Sequence, residues 1–334
     1  MDSTLLLLDS KPEIDPAKLK TWSRLGLSIS GLVLNPRHNL DEVVRIYQDI
    51  GVQLTRINLL ATSWVNPTNY MPFTRLADGK WDLYQWDSRY FDRLSEVKER
   101  MNAAGITIIW TNYELYSWSH RKLSAAEQEG TPWRTNINGV NWEREDTTLY
   151  RLPDAWSKAW FEKVVPYLDL NPNVFEIGNE FPEKGVHQRV RDVVRAIQPD
   201  ALISVNRNED TPGQYTNMKI GKDYDMISFH GRRLKTLGDL KQAYPESRSQ
   251  MLPTATFQEL LDAAKVENKR IIFSSDGART SDDPVETYDW GKLKEFIQEV
   301  RGKGCSFEHQ SRAKMTSAPN HTMIEADWFK SLHV

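Results

Sequence analysis

The segment Asn173-Val174-Phe175-Glu176-Ile177-Gly178-Asn179-Glu180 is an apolar run that ends in an amide and a carboxyl side by side. A carboxyl group partly desolvated at the mouth of a fold has a raised pKa, so it keeps a proton for a leaving group. A second carboxylate across the scissile bond completes the pair that cleaves a glycosidic acetal, either by attacking carbon or by activating water. Two other apolar runs end in candidates for that role. Ile271-Ile272-Phe273-Ser274-Ser275-Asp276-Gly277 supplies Asp276, and Cys305-Ser306-Phe307-Glu308-His309 supplies Glu308. Each has an ordinary structural reading as well. Asn179-Glu180 suits a polar turn after a strand, Asp276 before Gly277 suits a helix N-cap or Asx-turn, and Glu308 suits a residue that fixes a neighbour.

Such carboxylates act together only if strands bring them to one rim. Apolar runs at 27–34, 53–60, 106–113, 173–179, 201–206, 224–230, 270–275 and 304–309 read as eight strands, and each gap is long enough for a crossover. Eight alternating βα units close a parallel barrel, so the expected fold is α/β, a single (β/α)8 TIM barrel. Helix signals fill several gaps. Asn39 with Glu42 three residues on, and Gly51 beyond, bracket one helix. Phe91, Leu94, Val97 and Met101 stripe another over 88–104, closed by Gly105. Further helices are expected at 186–197 (before Pro199), 257–264 and 290–300. Composition does not break along the chain, which sets residues 23–334 as the barrel and 1–22 as an N-terminal arm or plug.

Two long gaps, 61–87 and 114–155, follow strands two and three and fall on the C-terminal face, where barrel enzymes build their sites. Long structureless loops in compact domains are usually functional. The chain has 12 Trp among its 334 residues, and Trp64, Trp118, Trp133 and Trp142 fall in these gaps. Exposed rings there are suited to stacking on flat sugar faces, and some would pack within the loops instead.

Composition narrows the classes. Forty-three basic and 46 acidic residues leave a net charge of −3, too small to argue for a nucleic-acid partner. A single cysteine, Cys305, excludes an internal disulfide framework and any multi-cysteine metal site. Leu5 to Leu8, flanked by Asp2 and Asp9, has neither the basic lead of a signal peptide nor the length of a membrane span. No membrane partner is therefore expected, and the compartment stays open: cytoplasmic, secreted with a signal removed, or within a larger assembly. The seven His residues show no i, i+2 or i, i+4 pair, and no phosphate-binding glycine loop appears. No metal and no cofactor is expected, although His230, His309 and Glu308 from several strands form an alternative metal reading. The segment 231–248 carries Arg232, Arg233, Lys235, Lys241 and Arg248, by default a solvated basic loop and alternatively a hint of an acidic sugar.

At this point the residues resemble a known family. Asn179-Glu180 at the end of strand four resembles the acid/base signature of clan A glycoside hydrolases, especially the cellulase-like family 5 group. Leu54-Thr55-Arg56-Ile57-Asn58 is similar to that group's strand two, Trp86 to Leu94 with Ala104-Gly105-Ile106 to its second helix and third strand, and Ile227-Ser228-Phe229-His230 to its sixth strand. The resemblance spans roughly residues 25–310. It implies Glu180 as acid/base and the strand-seven residue as nucleophile, with Arg56 supporting it and His230 in the site. One departure stands out: the family's strand-seven residue is glutamate, and here it is Asp276.

Aspartate is one methylene shorter. Carboxylates about 5–5.5 Å apart retain configuration and those about 6.5–9.5 Å apart invert it. Three readings follow: retention with a shifted backbone, inversion, or a barrel that binds sugar without cutting it, as a pseudo-glycosidase in a larger assembly. Arg56 is expected either to hydrogen-bond Asp276 or to form an ion pair that holds the barrel mouth. Asn179, Asn112, Glu114, His230, Glu308, Trp118 and Trp142 complete the expected substrate contacts, with an oligo- or polysaccharide as the partner.

Overall fold

The computed structural model describes residues 23–29, 33–34, 36, 39–60, 70–114, 132, 136–140, 143–144, 150–151, 154–179, 184–208, 224–231, 270–276, 290–302, 304–311 and 329–333. Eight strands form a closed, all-parallel barrel: β1 (Leu25–Ile29), β2 (Leu54–Asn58), β3 (Thr107–Glu114), β4 (Val174–Asn179), β5 (Leu202–Asn208), β6 (Met226–Gly231), β7 (Arg270–Asp276) and β8 (Ser306–Ser311). Each strand pairs with its neighbours in sequence, and β1 pairs with β8 from Leu25↔Phe307 to Ile29↔Ser311. The TIM-barrel expectation holds. The register between β1 and β2 is pinned at Gly26↔Leu54, where a Cβ on residue 26 would lie 3.0 Å from the Leu54 carbonyl oxygen. Only glycine lets the two strands meet that closely without a shift.

Helices cover the barrel because their apolar stripes have no other surface to bury. In α1 (Leu40–Asp49), Leu40, Val43, Val44 and Tyr47 form that stripe, and Asn39 Oδ1 accepts from the N–H groups of Asp41 and Glu42. In α2 (Ser88–Ala103), Tyr90, Phe91, Leu94, Val97 and Met101 are buried, and Asp87 caps by accepting from the Arg89 N–H. Gly51 and Gly105, at φ +80° and +75°, end the two helices in the left-handed region that glycine tolerates. The expected helices near 186–197 and 290–300 appear as α4 (Lys184–Ile197) and α5 (Trp290–Gly302). The one expected at 257–264 lies outside the described residues, as do residues 1–22. Among the described residues, no helix is long and apolar enough to cross a membrane.

Three local expectations are corrected. The first strand is Leu25–Ile29 rather than 27–34; Val33 and Leu34 are buried in a turn beyond it, so they read as strand by hydropathy alone. The gap after β2 is not structureless throughout: Phe73–Arg75 and Trp81–Trp86 pair as an antiparallel hairpin. A helix not anticipated, α3 (Asp154–Val164), precedes β4. It carries Trp156, Trp160, Phe161 and Val164, all buried.

These two elements hold one another. Phe73 and Trp86 of the hairpin pack on Trp156 and Trp160, whose rings stack at 6.2 Å with 8° between planes, and on Phe91. A buried indole needs an acceptor for its N–H, and each has one. Trp156 donates to the Leu83 carbonyl at 3.1 Å, Trp160 to Asn112 Oδ1 at 2.7 Å, and Trp110 to the Leu168 carbonyl at 2.9 Å. Part of the tryptophan excess is therefore core, stapling the loop after β2 to α2 and α3.

Candidate active site at the C-terminal rim

Side chains of a strand alternate between the barrel interior and the helix layer. Leu54, Ile109, Val174, Met226 and Ile272 form an interior cluster of their own, with Leu202 against it, so these positions face inward. Two residues further along the same strands the chemistry changes. Arg56, Thr111, Glu176, Ser204 and Ser228 follow the apolar ring, joined by Glu308 from β8, and all are buried. The next step of the same alternation reaches Asn58 of β2, Gly178 of β4 and Asn206 of β5. The interior thus runs from hydrocarbon to hydrogen-bonding groups towards the C-terminal end.

The polar layer is built around one guanidinium. Arg56 Nη2 donates to Glu176 Oε2 at 3.3 Å and lies 3.7 Å from Glu308 Oε2, with side-chain exposures of 3%, 0% and 0%. Thr111 Oγ1 donates to Glu176 Oε1 at 2.9 Å, and Ser204 and Ser228 hydroxyls meet at 3.4 Å. The Arg56 backbone N–H donates to Ser28 Oγ at 2.6 Å, fixing β2 against β1. Arg56, Glu176 and Glu308 come from β2, β4 and β8, the alternate strands that share a layer in such barrels. Glu176 and Glu308, both out of water, share the Arg56 guanidinium, an arrangement that costs desolvation and needs every hydrogen bond it can make.

Several anticipated residues land here. Arg56 forms ion pairs with Glu176 and Glu308, while the Asp276 side chain expected beside it lies outside the described residues. Glu308 is enclosed within this layer rather than open to solvent. Asn112 is corrected in placement: Ile109 and Thr111 face the interior, so Asn112 faces the helices, where its carbonyl takes the Trp160 indole N–H. The apolar run 106–110 has bulky residues on both faces, which hides that parity in the sequence. Asn179 is the last residue of β4 and Asp276 the last of β7, on the same end of the barrel, and Glu114 ends β3. His230 lies one position before the end of β6. The side chains of Asn179, Glu114, His230 and Asp276 lie outside the described residues, as do Glu180, Trp64, Trp118, Trp133, Trp142 and the basic segment 232–248.

Glu176, within the strand-four run, is a functional-layer residue that the sequence pattern does not single out. A charge between Phe175 and Ile177 in a strand flanked by apolar residues demands a buried partner, and that was the available signal. Thr111 and Asn206 carried none. Among the described residues, no three of His, Cys, Asp and Glu converge as ligands for a metal ion.

No protein-family profile matches the chain, and no curated protein sequence matches it. Solved structures do. The chain is similar to cellulose synthase subunit Z of Clostridioides difficile (TM-score 0.56, 13% identity, 93% of this chain and 99% of that one). It is similar to the hyperthermostable endo-1,4-β-D-mannanase of Thermotoga petrophila (0.53, 11%, 86% and 88%). It is also similar to a mutant form of Thermotoga maritima Cel5A in complex with cellobiose (0.54, 14%, 93% and 98%). At these identities the likeness establishes a shared barrel fold, extending over nearly the whole of each chain.

Proposed function

We propose that the protein is a glycoside hydrolase that cleaves O-glycosidic bonds of an oligo- or polysaccharide at the C-terminal rim of the barrel. The observation that carries this reading is the placement of two strand ends. β4 finishes at Asn179, immediately before Glu180, and β7 finishes at Asp276, on one rim of a closed parallel barrel. The solved structures that share the fold include a mannanase and a cellobiose complex, which supports a β-linked glycan as the substrate class.

In this reading Glu180 protonates the departing oxygen. Asp276 then attacks the anomeric carbon, and Glu180 returns as base for water, or Asp276 itself activates the water. Asn179 donates to a hydroxyl beside the reacting carbon. His230, Glu114, Trp118 and Trp142 contact the sugar. Arg56, Glu176 and Glu308 lie beneath and act through position and charge. The shorter Asp276 favours a second reading, a carbohydrate-binding barrel without turnover.

The test is a panel of polysaccharides, acidic ones included, and aryl glycosides, assayed with wild type, Glu180→Gln and Asp276→Asn. Glycosidase action requires that each variant lose about 10²–10⁴-fold in kcat while keeping its melting temperature. Anomer-resolved NMR on the first product separates attack on carbon from activation of water. Glycan binding without turnover in wild type would establish the second reading instead.

A further inference from the structure

The buried ion pairs of the interior connect the strands that lead to the two proposed catalytic carboxyls. Glu176 stands in β4, four residues before Glu180, and its Oε2 accepts from Arg56 Nη2 at 3.3 Å. Thr111 of the intervening β3, in register with Glu176, donates from Oγ1 to the other carboxylate oxygen at 2.9 Å. Glu308 stands in β8, in register with Ser274 of β7, which is two residues before Asp276. Its Oε2 lies 3.7 Å from the same Arg56 Nη2. One guanidinium thus joins β4, the strand of Glu180, to β8, the strand laddered to that of Asp276.

Local detail lets that bridge form. β1 separates β2 from β8, and its residue in register with both Leu54 and Glu308 is Gly26, which has no side chain to fill the span. Ser28 Oγ accepts from the Arg56 backbone N–H at 2.6 Å, so the arginine is fixed at its root as well as at its head. All three charged side chains are buried. Parting a buried pair leaves an uncompensated charge out of water, so the bridge resists loosening.

We propose that the Glu176–Arg56–Glu308 bridge sets the gap between Glu180 and Asp276, with Glu308 as the positioning residue on the β7 side. The inference rests on the glycosidase reading. Carboxylate separation decides the reaction course, about 5–5.5 Å for attack on carbon and about 6.5–9.5 Å for activation of water. A displacement of about 1 Å at a reacting group costs about 10²-fold in rate. A tie buried among strands holds that dimension more tightly than contacts made on loops. Glu308 acts through Arg56 and through its ladder to β7, and it touches no reacting atom.

The experiment follows kcat and KM of the full chain on an aryl glycoside, well below the melting temperature, with Ile109→Ala as the comparator for lost stability. Glu308→Ala is expected to lower kcat about 10²-fold with KM within about twofold. Glu308→Gln, whose amide oxygen still accepts from Arg56, is expected to recover most of that loss. Failure to recover would make Glu308 a reacting carboxylate and overturn the positioning role. Asp276→Glu lengthens the opposing carboxyl, so it is expected to be non-additive with Glu308→Ala by at least about fivefold in kcat and additive with Ile109→Ala. Where Glu308→Ala does not fold, Glu308→Asp shortens the anchor by one methylene and is read the same way. Unchanged kcat in Glu308→Ala, or additivity with Asp276→Glu, overturns the proposal and leaves the glycosidase reading intact. A wild type without turnover, or a fully active Asp276→Asn, overturns that reading first, and the proposal falls with it.

Discussion

The lower and upper halves of the barrel interior are made from the same strands, two residues apart, and obey different rules. Leu54, Ile109, Val174, Met226 and Ile272 fill the lower half with hydrocarbon. Arg56, Thr111, Glu176, Ser204, Ser228 and Glu308 fill the next layer with hydrogen-bonding groups and three charges. Apolar packing at the lower level stabilises the fold directly, at about 25 cal/mol per Å² of buried area. A buried ion network is weak evidence for stability, because desolvation of its charges rivals their attraction. The polar layer lies on the side of the barrel where strands β4 and β7 end in Asn179 and Asp276.

That contrast can be broken by mutation. Arg56→Met leaves Glu176 and Glu308 buried without their shared cation and should cost about 3–5 kcal/mol in urea unfolding. The triple variant Arg56→Met, Glu176→Leu, Glu308→Leu removes the charges together and should recover most of that loss while abolishing turnover. Recovery stays partial because Thr111 Oγ1 loses its acceptor. A triple variant as unstable as the single one would mean that the polar layer stabilises the fold in its own right.

In the lower half, Ile109→Ala should cost about 2–5 kcal/mol through lost burial and a cavity, measured the same way. Its kcat should stay near wild type, since no polar group is disturbed. Large loss of kcat at unchanged Tm would dissolve the division between the halves.

Outside the barrel, Trp160→Phe preserves most of the aromatic packing but strands Asn112 Oδ1, for an expected loss of about 1–3 kcal/mol. A neutral result would show that Asn112 is served by another donor. The smallest effect is expected at the surface. Hydrogen bonds from the Arg89 side chain hold the Asp87 carboxyl below its ordinary value of 3.8, against the opposing pull of partial burial. A carboxyl depressed on folding contributes stability above pH 3.8, and that contribution is lost as pH falls through its lower, folded value. Urea midpoints measured from about pH 7 down to about pH 3 should therefore fall less steeply for Asp87→Asn than for wild type. Parallel curves would remove Asp87 from the acid response.

Much of this architecture was legible before any coordinates. Asn39 caps α1 as its spacing to Glu42 implies, the stripe over 88–104 is α2, and β2 to β8 stand within two residues of the apolar runs that mark them. α3 was missed: its aromatic stripe, Trp156, Trp160 and Phe161, begins just past the gap 114–155 that reads as loop. β1 was displaced because Val33 and Leu34, buried in a turn, extend its hydrophobic signal.

Local sequence by itself determined which segments become strand or helix, because propensity, period and capping act within a few residues. It also determined that carboxyl-bearing residues stand at or just after the ends of β4 and β7. Only the closed barrel decided which residues meet. Arg56 reaches Glu176 across 120 positions and Glu308 across 252, distances in sequence over which no periodic pattern speaks. Which side of β3 faces inward was likewise set by the register Thr111↔Glu176 and not by the apolar run around it. Pairing between distant strands is a property of the ladder and its closure, and there the partners of a buried charge are chosen.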